Sequence, residues 1–139
     1  MTENALHGVV RRIRADFPDA QALYLYGSAA AGEETPSSDV DFGLLLPHRL
    51  ARETDTVGIS ETRFALEELV SRPVDLVNLR RAPIVLQKEV LATGRCIFVA
   101  DARAVEEYEM IVLSLYGKLN EERAGILEDF ARSKRAYCV

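Results

Sequence analysis

Leu6, Val9, Val10, Ile13 and Phe17 recur at three- and four-residue steps, the spacing that gathers apolar side chains on one face of a helix. The pattern predicts an amphipathic helix over about residues 3–16, ending before Pro18. The helical period then gives way to the continuous apolar run Ala22-Leu-Tyr-Leu-Tyr26, which predicts a strand over about residues 21–26. Gly27-Ser28 opens a short Ala-rich helical turn, and Glu33 to Ser38, with Pro36, forms a loop. Val40-Asp-Phe-Gly-Leu-Leu-Leu46 predicts a second strand over about 39–46, antiparallel to the first or part of a mixed sheet. Its apolar length predicts a central position.

Pro47 ends that strand, and a helix is expected over much of 50–71, with Phe64, Leu66, Leu69 and Val70 facing inward. Val74 to Leu79 reads as a third strand. Pro83 suits the first position of a helix over 83–93 that Gly94 closes, and Cys96 to Val99 reads as a short strand. After Asp101, a suitable N-cap, Val105, Tyr108, Val112, Leu115 and Leu119 step along a helix of about 101–135. Its stripe continues through Ile126, Leu127 and Phe130, with Tyr137 beyond. That is more apolar helix than a four-stranded core covers, so it either packs across the sheet or offers a ridge to a partner. The expected architecture is α/β of the α+β kind: one domain over 1–139, with a core at about 3–100, a small mixed sheet and flanking helices.

The chain has 139 residues, enough to bury a core without staples. A net charge of −5 argues against a protein whose main work is gripping nucleic acid, which needs clustered Lys and Arg. Arg80-Arg81 and Arg132 to Arg135 are the candidate basic patches, and each reads more simply as an exposed helix end or loop. Cys96 and Cys138 have no metal-ligand spacing, so a reduced cytoplasmic protein is expected. No apolar run approaches a membrane span, and Met1-Thr-Glu-Asn-Ala-Leu-His lacks the pattern of a signal peptide. His7 and His48 are isolated in sequence and read as exposed or structural.

Candidate chemistry concentrates at Gly27-Ser28 and Asp39-Val40-Asp41. Strand residues alternate faces, so Asp39 and Asp41 would share one side while Val40 points into the core. Adjacent carboxylates repel unless a divalent cation lies between them, and Mg²⁺ binds through a few carboxylates plus substrate phosphates. Gly27 lets backbone approach a phosphate, and Ser28 offers a hydroxyl and N–H groups at a helix start. Each pair alone is also what an ordinary turn or a solvated edge strand shows. Together they propose nucleotidyl transfer. Transfer on two metals needs a third carboxylate, and Asp75 is the best candidate because it interrupts an apolar strand where an unpaired buried charge would be costly. An acid on an exposed edge is the simpler alternative. Glu67-Glu68, Glu106-Glu107 and Glu121-Glu122 read as solvated helix faces.

Tyr24-Leu-Tyr-Gly-Ser28, Gly32, Ser38-Asp-Val-Asp41 and Val74-Asp-Leu-Val-Asn-Leu-Arg80 together resemble the DNA polymerase beta type of nucleotidyltransferase, whose signature is Gly-Ser, a short helix and loop, then Asp-x-Asp. Nearer still, the chain resembles the minimal nucleotidyltransferase (MNT) subfamily, the antitoxin half of MNT/HEPN toxin–antitoxin pairs. The resemblance covers roughly residues 3–130. It departs at Ala31, where many relatives carry Arg or Gln, so a side chain that could touch phosphate is missing. The resemblance implies a polymerase beta-type nucleotidyltransferase fold and ATP as substrate, with its β and γ phosphates at Gly27-Ser28. It also implies two Mg²⁺ ions on Asp39, Asp41 and Asp75, and an acceptor tyrosine on a partner HEPN-domain ribonuclease toxin, which AMPylation silences. Two alternatives stand beside it. One is adenylylation of a small molecule, although enzymes of that kind usually carry an additional helical domain. The other is a non-catalytic antitoxin that neutralises its partner by occlusion.

Overall fold

The computed structural model describes residues 2–32 and 38–137, without the side chains of Val57, Phe130 and residues 132–137. The expected loop at 33–37, Cys138, and the side chains proposed for Phe130, Tyr137 and the basic cluster Arg132 to Arg135 lie outside this description. The element order is α1 (Glu3–Asp16), β1 (Ala22–Tyr26), α2 (Ser28–Ala31), β2 (Val40–Leu45), α3 (His48–Glu53), α4 (Thr56–Val70), β3 (Val74–Asn78), a 3-10 turn (Leu79–Arg81), α5 (Ile84–Thr93), β4 (Arg95–Val99) and α6 (Ala102–Tyr137).

The four strands form one sheet in the order β3-β2-β1-β4. β1 runs antiparallel to β2 and to β4, with Tyr26 opposite Asp41, whereas β3 runs parallel to β2, with Asp41 opposite Asp75. Both faces are covered over the two central strands, which is why β1 and β2 read as apolar runs. Leu23, Leu25, Val40, Phe42, Leu44 and Leu76 pack into one core with Val9 and Ile13 of α1 and Ile59 and Leu66 of α4. Tyr24, Tyr26 and Leu45 pack into the other with Val90 of α5 and Val105, Tyr108 and Val112 of α6.

Thr2 caps α1 by accepting from the Ala5 N–H at 3.1 Å. α1 and α4 are tied together at Asp16, which accepts from Arg12 Nε at 2.8 Å and Thr62 Oγ1 at 2.6 Å.

The helix expected over 50–71 is two helices, broken at Thr54-Asp55. The break is anchored: Asp55 accepts from the Gly58 N–H at 2.9 Å as the N-cap of α4, and Asn78 Nδ2 donates to the Ala51 and Thr54 carbonyls, each at 3.0 Å. This corner rotates α4, so its buried face is Ile59, Thr62 and Leu66, and two residues expected inside, Phe64 and Leu69, are exposed. Phe64 lies under the Arg63 guanidinium instead, 4.3 Å from ring centroid to charge. Pro83 is the N-cap of α5, one residue before its first turn.

Asp101 caps α6 as expected, accepting from the Ala104 N–H at 3.1 Å. The first three turns of this helix pack on the sheet side, where Tyr108 OH donates to Gln87 Oε1 at 2.8 Å and Tyr24 OH donates to Glu109 Oε1 at 2.9 Å. Beyond Val112 the helix leaves the core: Leu115, expected to continue the packed stripe, is exposed, as are Ile126 and Leu127.

Arg80 also departs from its sequence reading. It is half-buried, donating from Nε to the Leu46 carbonyl at 2.6 Å and from Nη2 to Gln21 at 2.8 Å, stacking over Tyr108, and lying 3.1 Å from His48 Nε2. It fastens elements together and is no basic patch. Among the described residues no helix is long and apolar enough to cross a membrane.

Candidate active site

Three aligned positions on adjacent strands build the site. Directly opposite residues in paired strands share a face, so Tyr26, Asp41 and Asp75 form a row across β1, β2 and β3. The row lies where β1 ends and β2 and β3 begin, with Tyr26 at its buried end. Asp39 precedes β2 and is exposed, Asp41 is half-buried, and Val40 between them is fully buried, as strand alternation predicted.

Gly27 follows Tyr26 with φ 72° and ψ −153°, a conformation open in practice only to glycine. The strained turn swings the chain directly over Asp41: a Cβ on Gly27 would collide with the Asp41 Oδ2. Ser28 then begins the single turn of α2, half-buried, and Ala31, at the end of that turn, is exposed. Gly27 of the Gly-Ser pair and Asp41 of the Asp-x-Asp pair, fourteen positions apart in sequence, therefore meet in space.

The electrostatics of the row are those of crowded negative charge. Burial pushes the Asp41 carboxyl up from its ordinary value, and the charges of Asp75 and then Asp39 push it further. Burial likewise raises the Tyr26 hydroxyl, followed by the charges of Asp75 and Asp41, so Tyr26 stays protonated beside the acids. Among the described residues no group of three or more His, Cys, Asp or Glu is gathered as a ready-made metal cage. Magnesium keeps waters and is bound through one or two carboxylates together with substrate phosphates. The donor set, all carboxylate oxygen with mutual repulsion to relieve, fits a hard divalent cation.

Two points differ from the sequence reading. Asp75 is exposed on an edge strand, so the expected cost of burying it does not arise; what places it at the site is its register with Asp41. Tyr26 was not singled out from sequence, although antiparallel pairing of the first two strands would have set it facing Asp41. A concavity of about 640 Å³, lined by His7, Arg11, Arg14, Phe17 and Phe98 among others, lies between α1 and β4 and holds none of these acids. A second groove, of about 400 Å³, begins at Asp75 and follows β3.

Residues 10–103 match the family described as polymerase beta, nucleotidyltransferase, a span that contains Gly27, Ser28, Asp39, Asp41 and Asp75. The chain is 29% identical to protein adenylyltransferase MntA of Shewanella oneidensis over 121 residues, covering 87% of this chain and 84% of that protein. A chain in a crystal structure of a toxin–antitoxin with AMP-PNP superposes with a TM-score of 0.77 at 28% identity, over 93% of this chain and 98% of the other. The same shares of both chains match at 26% identity, with a TM-score of 0.74, in a structure of tri-AMPylated Shewanella oneidensis HEPN toxin in complex with MNT antitoxin. With the sheet order, the Gly27 turn over Asp41 and the matched span in agreement, this chain belongs to the polymerase beta nucleotidyltransferase family.

Proposed function

We propose that this protein is an antitoxin that acts as a protein adenylyltransferase, moving AMP from ATP onto a tyrosine hydroxyl of a partner HEPN ribonuclease toxin and so silencing it. The observation that carries the reading is the meeting of the Gly27-Ser28 turn with Asp41 and Asp75, in a chain similar along most of its length to MntA. An exposed free cysteine, Cys96, agrees with work in the reducing cytoplasm.

Gly27 and Ser28 hold the β and γ phosphates, the first by close backbone approach and the second by its hydroxyl and N–H. Asp39, Asp41 and Asp75 are the residues that would hold two Mg²⁺ ions, which when bound neutralise phosphate charge and draw electrons from the reacting phosphorus. The acceptor tyrosine oxygen attacks the α phosphorus in line. Its proton passes to the Asp75 carboxylate, the new O–P bond forms, the bond from the α phosphorus to the bridging oxygen breaks, and pyrophosphate leaves.

The test combines purified chain, ATP, Mg²⁺ and toxin. The expected result is a toxin heavier by one or more adenylyl units on tyrosine, and still inactive once this protein is removed. An Asp39→Asn, Asp41→Asn double variant that leaves the toxin mass unchanged yet protects cells fully would replace this reading with neutralisation by occlusion.

A further inference from the structure

The groove that begins at Asp75 has β3 as its floor, with Thr54, Asp55 and Thr56 on one wall and Ala82, Pro83 and Leu86 on the other. Among the described residues β3 pairs only with β2, so no strand lies along its other edge. The bond from the Val40 N–H to the Pro73 carbonyl, 2.9 Å, fixes the alternation. With Val40 opposite Val74, parallel pairing directs the backbone groups of Asp75 and Val77 to β2 and those of Val74, Leu76 and Asn78 outward. The Val74 N–H is met by Glu67 Oε1 at 3.3 Å. The N–H and C=O of Leu76 have no such partner among the described residues. The Leu76 side chain is in the core, so what this residue gives the groove is backbone. At the far end Asn78 donates from Nδ2 to two carbonyls, while its Oδ1 is buried without a partner. The unmet backbone groups of Leu76, a largely buried residue that lines the groove, suit a ligand made of peptide.

In-line transfer also decides which substrate belongs here. The leaving pyrophosphate is held at Gly27-Ser28, at the end of β1, so the acceptor must reach the α phosphorus from the opposite side, where β3 and Asp75 lie. Asp55 and Asp75 make the groove unwelcoming to a triphosphate, and its Arg81 already donates to the Thr54 carbonyl at 3.2 Å.

We propose that this groove receives the acceptor: an extended, tyrosine-bearing segment of the partner toxin pairs its main chain with Leu76 as an added strand and delivers the tyrosine hydroxyl to Asp75. The proposal deepens the function proposed above and rests on it.

Thr56→Trp and Pro83→Trp, at exposed positions in the groove lining, fill the groove while leaving Asp39, Asp41 and Asp75 unchanged. With ATP, Mg²⁺ and purified HEPN toxin, each is expected to raise KM for toxin by about tenfold or more while KM for ATP stays within about twofold. In the wild-type chain, exchange of the Leu76 amide should slow when toxin is added and stay unchanged with AMP-PNP alone. A rise in KM for ATP instead would assign the groove to nucleotide and overturn the proposal. Unchanged toxin KM in both variants, or a Leu76 amide indifferent to toxin, would overturn it as well. Failure of the wild-type chain to modify toxin at all would sink the function itself, a result separate from a loss confined to the groove variants.

Discussion

Gly27 passes so close over Asp41 that no side chain fits between its backbone and the carboxylate. One contact thus joins the strand that presents the acid to the turn that begins α2, and it does so with a backbone conformation, φ 72° and ψ −153°, that other residues avoid.

Gly27→Ala is therefore expected to fail twice over. The backbone would resist by about 1–3 kcal/mol, and the new methyl would push Asp41 aside. Transfer should fall far more than thermal stability does, which paired activity and melting measurements decide. Equal loss in both would reduce Gly27 to a structural turn.

Asn in place of Asp39, Asp41 or Asp75 should abolish transfer while the fold persists, and chelation of divalent cations should do the same reversibly to the unmodified chain. For Asp41 the sign can be worked out. Its carboxyl is raised in the folded state by burial, then by Asp75 and Asp39, so the folded chain binds this proton more tightly than the unfolded one. Its contribution to stability falls as pH rises from the ordinary carboxylate value through the raised one. At neutral pH Asp41→Asn should consequently melt no lower than wild type. A clear drop in melting temperature would show that the charge is structural.

Ser28→Ala should raise KM for ATP with little effect on stability, because Ser28 is half-buried in a single helical turn. Ala31→Arg, at an exposed position on the same turn, should lower KM for ATP by adding a phosphate contact. Steady-state kinetics with varied ATP check both, and wild-type behaviour of Ser28→Ala would leave the phosphates to other groups.

Asp16 gives the fold an acid-sensitive clamp. Burial pushes its carboxyl up, but the hydrogen bond from Thr62, then the hydrogen bond and charge of Arg12, outweigh that and hold it below its ordinary value. A depressed carboxylate contributes stability that is present above its unfolded-state value and is lost as pH falls through the folded one. Thr62→Val should cost about 1 kcal/mol at neutral pH, with most of the difference gone in strong acid. Denaturant unfolding at the two pH values measures it; a gap that does not shrink in acid would mean that Thr62 acts through packing alone.

What the sequence determined by itself was the set of elements and the identity of the reacting groups. Short apolar runs bounded by turn signals suit strands, so β1, β2 and β3 were legible, and Gly-Ser followed by Asp-x-Asp is rare enough as a conjunction to name a chemistry. Local signals ran out where packing phase and register took over. Phe64 and Leu69 satisfy a helical stripe as well as Ile59 and Thr62 do; the Asn78 bonds to Ala51 and Thr54 at the α3–α4 corner, made across more than twenty residues, choose between them. Leu115 continues the periodicity of Val105 and Val112, yet the sheet is too small to reach it. Asp75 looked costly to bury and is exposed, because an apolar run does not reveal that its strand stands at an edge. Above all, Tyr26, Asp41 and Asp75 become neighbours only through the pairing of three strands. Register is a property of contacts distant in sequence, and only the tertiary structure decides it.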